Sequence, residues 1–137
     1  MLRKNAKIEL LKRVPLFADC SKAELARIAA VADEVDLPAG RDLTKEGAAG
    51  REFVVLVEGT AEVRRQGKVI NQLTDGDFLG EIALVADVPR TATVTTTWPS
   101  RILVITDRAF RSLLREMPTL QMKVLSALAR RVPAEFQ

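Results

Sequence analysis

Between Val35 and Ile105 the chain is cut every few residues by turn-forming groups, and this punctuation constrains the fold more than any other feature. Pro38-Ala39-Gly40, Glu46-Gly47, Glu58-Gly59, Gln66-Gly67 and Asp75-Gly76-Asp77 leave room only for short elements. Between them lie runs rich in β-branched residues at 53–57, 60–64, 68–73, 91–97 and 101–105. Strands this short and this closely spaced predict an all-β sandwich or barrel. Ala61, Val63 and Val69 alternate with polar neighbours, as strands buried on one face do. The run 53–57 is apolar on both faces and is expected to be a central strand.

The flanks read differently. Residues 2–13 carry Leu2, Ala6, Leu10 and Leu11 at helical spacing among charges, and Val14-Pro15-Leu16-Phe17 stops that helix. Ser21 with Glu24 three residues later forms a capping-box pattern. It opens a helix with Leu25, Ile28, Ala29 and Ala32 on one face. After Thr106-Asp107, a candidate N-cap, Phe110, Leu113 and Leu114 form another stripe. Pro118 ends that helix and can begin the next, which carries Leu120, Val124 and Leu128 and stops at Pro133. The expectation is a single domain over 1–137, mainly β with flanking helices. It would be a double-stranded β-helix (jelly roll or β-roll) over 34–106, with N-terminal helices over 1–33 and C-terminal helices over 107–133.

Composition removes several kinds of chemistry. The 137 residues contain no histidine and one cysteine, Cys20. His-based triads, His-ligated metal sites, four-ligand Cys/His zinc sites and internal disulfides are therefore excluded. An enzyme built on a small metal-binding barrel loses its usual ligands, so no catalytic residue, metal or cofactor is expected. Without histidine to activate it, Cys20 reads as an idle or buried thiol. No apolar run is long enough to span a bilayer, and the charged N-terminus is not a secretion signal, so a cytoplasmic location is expected. Net charge is +3, which permits an anionic ligand without demanding nucleic acid. Arg64-Arg65 and Arg130-Arg131 read as solvated surface charge. Trp98, before Pro99, is expected to pack at the edge of the roll.

Residues 78–94 read FLGEIALVADVPRTATV, and local patterning does not account for them. Gly80 permits close backbone approach. Residues 82–86 could form a helical turn whose unpaired N–H groups suit a phosphate. Arg90 adds a guanidinium able to bind phosphate through two parallel hydrogen bonds. Glu81 is unsuited to a phosphate but accepts from a hydroxyl. A phosphate beside a sugar hydroxyl is the ligand these groups describe.

The segment resembles the phosphate-binding cassette of the cyclic nucleotide-binding domain family. That family occurs in kinase regulatory subunits, gated channels and the bacterial catabolite activator protein. The resemblance rests on Phe78, Gly80, Glu81, Ile82, Ala83, Leu84, Pro89, Arg90 and Ala92. It extends to FVVLVEGTAEV, to Gly76–Phe78 and to VPLF with SKAEL near the N-terminus.

The resemblance implies that Arg90 pairs with a cyclic phosphate and Glu81 accepts from the ribose 2′-hydroxyl. Gly80 would admit the sugar, and backbone amides near Ile82, Ala83 and Ala92 would help hold the ligand. Val63, Ile70 and Leu73 would wall the ribose and base, and are expected in the core in any case. Thr91 would lie near phosphate and base, leaning toward guanine, or would simply be a β-former in a Thr-rich strand. Leu84 and the helix over 110–114 are the implied transmitters. The implied function is a non-catalytic sensor of cAMP or cGMP. Its effector would be a domain or protein outside these residues, with no specific DNA binding and no membrane partner. The stripe Leu120, Val124, Leu128 is either helical core or a partner surface, for another domain or for weak homodimerisation. The alternative is a degenerate domain of the same fold that serves as a protein-interaction module.

Overall fold

A computed structural model describes residues 4–48, 52–79 and 92–131. Three short elements precede the roll: helix α1 (Lys4–Lys12), a 3₁₀ turn (Pro15–Phe17) and helix α2 (Lys22–Val31). Among the described residues eight strands follow: β1 (Asp33–Leu37), β2 (Asp42–Thr44), β3 (Glu52–Glu58), β4 (Ala61–Arg65), β5 (Lys68–Leu73), β6 (Phe78–Leu79), β7 (Thr93–Thr96) and β8 (Ser100–Thr106). Helices α3 (Asp107–Glu116) and α4 (Pro118–Arg131) close the described chain.

The helix boundaries follow from their caps. Ser21 Oγ accepts from Glu24 N (3.1 Å) while the Glu24 carboxylate accepts from Ser21 N (2.8 Å), a reciprocal capping box. Thr106 Oγ1 accepts from Ala109 N (3.2 Å) to begin α3, and Pro118 opens α4. Lys7 Nζ donates to Ala32 O (2.7 Å), meeting a carbonyl that the end of α2 leaves unpaired.

The strands form two four-stranded antiparallel sheets. Sheet I has the order β1-β8-β3-β6 and sheet II the order β2-β7-β4-β5. Alternation along the inner strands of sheet I assigns its two faces. Phe53, Val55 and Val57 of β3, with Leu103 and Ile105 of β8, pack against the helices. Val54, Leu56 and Ile102 point the other way, onto Ala61, Leu73 and Val94 of sheet II. Sheet I is thus covered on both faces, which is why 53–57 is apolar without alternation. The result is the expected β-roll with helices at both ends.

Several residues depart from expectation. Val69 and Ile70 are 48% and 50% exposed, not half-buried or core. In the β4/β5 ladder Val63 pairs with Asn71 and Arg64 with Val69, so Ile70 is the extra residue of a β-bulge. That single insertion puts Val69 opposite Arg64 and reverses the alternation read from sequence. Trp98 is 66% exposed rather than packed. Leu120 and Val124 lie in the chain's own core, so they are not a partner face, and among the described side chains of α4 the large exposed apolar ones are Met122 and Leu125. The Leu128 side chain and Pro133 lie outside the described residues. Short β2 and β6 carry no pattern that sequence reading detected.

Candidate functional site

Six of the implied ligand-binding residues, Gly80, Glu81, Ile82, Ala83, Arg90 and Thr91, lie outside the described residues, as does Leu84. What the structure places is the frame on either side of them. Before the segment, β6 pairs with β3 of sheet I, setting Phe78 opposite Val55 and Leu79 opposite Val54. The turn ahead of it is tied to the same strand: Gly76 N donates to Leu56 O, and Leu56 N to Asp77 O, both at 2.7 Å. Gly76 has φ +89°, and a Cβ there would stand 3.0 Å from Pro15 Cδ. Glycine therefore fits this turn on conformation and on close approach alike. The Asp77 carboxylate accepts from Thr74 N (2.8 Å) and that of Asp75 from Gly59 N (2.8 Å), so both acids brace the turn.

After the segment the chain enters the other sheet. Ala92 is buried, and its carbonyl accepts from Thr44 Oγ1 (3.0 Å), itself buried. Thr93 Oγ1 accepts from Glu46 N (2.9 Å), and the Glu46 carboxylate accepts from Gln66 N (2.9 Å). One loop thereby holds both the start of β7 and the β4–β5 turn.

Sheet II supplies a wall. Directly paired residues on neighbouring strands point to the same side, so the registers define a row. Thr44 pairs with Val94, Val94 with Val63, and Val63 with Asn71, crossing all four strands. The next row toward the sheet interior joins Thr96, Ala61 and Leu73. Val63, Leu73 and Ala92 are therefore brought to the inner side of one sheet, whereas Ile70 sits at the bulge.

Sequence reading missed Asn71, which ends the inner row on the edge strand. Its Oδ1 accepts from Gln72 N (2.8 Å), which fixes the amide orientation and leaves Nδ2 as a donor. The signal was available: Asn71 stands two residues from Leu73, the strand period.

Phe53 links the frame to the C-terminal helices. Its ring stacks on Phe110 (4.1 Å between centroids, 9° between planes) and lies 5.5 Å from Phe78. Cys20 is elsewhere, beside the 3₁₀ turn. Burial, with the nearby Glu24 carboxylate, pushes its thiol pKa up, which disfavours the thiolate a nucleophile needs. Among the described residues no cluster of acids and cysteine could hold a metal ion, and no helix is long and apolar enough to cross a membrane.

Two antiparallel sheets flanked by helices, with β6 in one sheet and β7 in the other, define a β-roll domain. The family model of the cyclic nucleotide-binding domain matches residues 34–117, and the chain belongs to that family. A cAMP-dependent protein kinase regulatory subunit of Mycosarcoma maydis is 38% identical over 115 residues, covering 77% of this chain and 22% of the relative. The cGMP-dependent protein kinase egl-4 of Caenorhabditis briggsae is 30% identical over 128 residues, covering 88% of this chain and 17% of the relative. The chain thus spans less than a third of the curated relatives it matches. Among solved structures, cAMP-bound PfPKA-R (141–441) superposes with a TM-score of 0.77 at 26% identity, over 92% of this chain and 47% of that one. The sensor domain of the transcriptional regulator DNR from Pseudomonas aeruginosa, at 23% identity, shares the fold with a TM-score of 0.80. That match covers 94% of this chain and 90% of the other.

Proposed function

We propose that this chain binds cAMP or cGMP through residues 78–94 and acts as a sensor without chemistry of its own. The observation that carries the reading is the occurrence of Glu81 and Arg90 in one stretch of sequence whose flanks are tied to two different sheets. Arg90 pairs with the cyclic phosphate, a charge-assisted and bidentate contact. Glu81 accepts from the ribose 2′-hydroxyl. Gly80 leaves room for the sugar, and amides near Ile82, Ala83 and Ala92 complete the phosphate site. Val63 and Leu73 face the ribose and base, Ile70 borders them, and Thr91 and Asn71 offer polar contacts to the base. No metal or cofactor is required, because every group in this scheme binds and none reacts.

Signalling requires that the ligand bind two arrangements of the domain unequally. The Phe78–Phe53–Phe110 contacts give such a change a packed route from β6 to α3. The output passes to an effector domain or protein outside these residues. Weak self-association would use Met122 and Leu125, since Leu120 and Val124 are already buried.

The test is calorimetry on nucleotide-stripped protein with cAMP, cGMP and 5′-AMP in parallel. A cyclic nucleotide should bind and 5′-AMP should not. Saturation at about a hundred times Kd should add about 2.7 kcal/mol of stability, read as a higher Tm. No heat and no melting shift with either cyclic nucleotide would overturn the reading and leave the degenerate interaction domain in its place.

A further inference from the structure

Helix α3 carries two adjoining surfaces made of residues outside the proposed nucleotide site. Its inward residues, Phe110 and Leu113, are in the core. At 3.6 residues per turn, Arg108, Arg111 and Arg115 fall on one line along its outer side, and all three are exposed. With Asp107 they line a hollow of about 320 Å³. Between this ridge and the core, α2 and α3 enclose a groove of about 480 Å³, floored by Ala30, Val31, Ala109 and Leu113. Arg108 borders both.

The charge balance of this surface is one-sided. Arg13, Arg27, Arg64 and Arg101 each have a carboxylate within salt-bridge distance. Among the described residues Arg108 and Arg115 have none. The nearby acids are engaged: Glu116 pairs with Arg27 at the groove, and Asp107 Oδ1 accepts from Arg108 N (2.7 Å). Val31 is 39% exposed on the groove floor, an apolar side chain in the hollow that Arg108 borders.

We propose that ridge and groove together dock an acidic amphipathic segment of a partner protein. Its aliphatic side chains would fill the floor over Val31 and Leu113, and its carboxylates would pair with Arg108 and Arg115. The ridge spans about 10 Å along the helix, long enough for two or three carboxylates and short for a nucleic-acid backbone. A floor recessed between two helices is reached by side chains and not by a flat bilayer. Guanidinium groups bind carboxylates in a planar, two-bonded geometry, which suits a peptide. The proposal does not depend on the nucleotide reading.

The experiment is fluorescence anisotropy with a short labelled peptide of alternating Glu and Leu clusters at helical spacing. Controls replace every Glu by Lys, or every Leu by Ser. The Glu/Leu peptide should bind below about 1 mM in low salt, and weaken as ionic strength rises and screens the rim. The Lys peptide should not bind, and the Ser peptide should bind more weakly. Arg108→Glu with Arg115→Glu should weaken binding about tenfold or more, as reversing rim charges opposes the partner. Arg111, which is already engaged within the fold, is left in place. Val31→Ser should weaken binding about threefold, from lost apolar contact. Unchanged thermal melting of each variant shows that the fold is intact. Failure of the Glu/Leu peptide to bind, equal binding of the Lys peptide, or indifference to the double charge reversal would overturn the proposal. Equal binding of the Ser peptide would overturn the groove's part in it.

Discussion

Sheet I and sheet II have four strands each, but they differ in what their faces touch. Sheet I lies between the helices and its partner sheet: Phe53, Val55 and Val57 serve one core, and Val54 and Leu56 the other. Sheet II has one buried face. Its other side carries Asp42, Glu62, Arg64, Gln72 and Thr95, with Arg64 paired to Glu62 and Thr95 Oγ1 donating to Asp42 (2.7 Å). Its edge strand β5 buries only Leu73. The first sheet is built for stability. The second keeps a thin inner row, part apolar and part polar, and its β7 follows directly in the chain on the segment proposed to hold the ligand. Binding and stability should therefore respond to different residues.

The largest effect should come from sheet I. Phe53→Ala removes a fully buried ring stacked on Phe110, and should cost about 3–5 kcal/mol in denaturant unfolding. A loss below about 1 kcal/mol would mean that the two-core description is wrong. Next, Arg90→Ala should cost about 2–5 kcal/mol of cyclic-nucleotide binding by calorimetry. The ligand-free Tm should stay as it is. If the Tm falls as well, the proposed separation of binding from fold fails.

A smaller effect tests the joint between them. Thr44→Val keeps the shape but deprives the Ala92 carbonyl of its donor, and should cost about 1 kcal/mol of stability. Because Ala92 follows directly on residues 80–91, nucleotide affinity should weaken too; unaltered affinity would show that the anchor serves only the fold. Smallest of all, Val69→Thr on the exposed side of β5 should change stability by less than about 0.5 kcal/mol. A larger loss would restore the buried alternation that the bulge at Ile70 removes.

Much of the architecture was legible because it follows from local rules. The capping box at Ser21 and Glu24, the N-cap at Thr106 and the helix start at Pro118 each reflect a few neighbouring atoms. The turn at Gln66-Gly67 has φ of 52° and 80°, the left-handed pair that a two-residue hairpin needs. Strands β2 and β6 were missed because three and two residues are too short to show a period. They exist because β7 and β3 pair with them. At the candidate site, Val63 and Leu73 were legible as inward residues, while Asn71, exposed on the edge strand, joins their side of the sheet only through its register with Val63.

The sequence by itself determined the order helix–roll–helix, the central place of 53–57 and the residues that resemble a phosphate-binding cassette. Each follows from spacing, propensity or motif, which act over a few residues. Only the tertiary structure decided that Val69 and Ile70 face outward, that Asn71 joins the row with Val63 and Val94, and that Phe53 joins Phe78 to Phe110. It alone placed the arginine ridge of α3 beside an apolar groove on α2. The reason is one of range. A bulge, a cross-strand row or a groove depends on which distant segments pair and in what register. That is settled by packing among residues far apart in the chain.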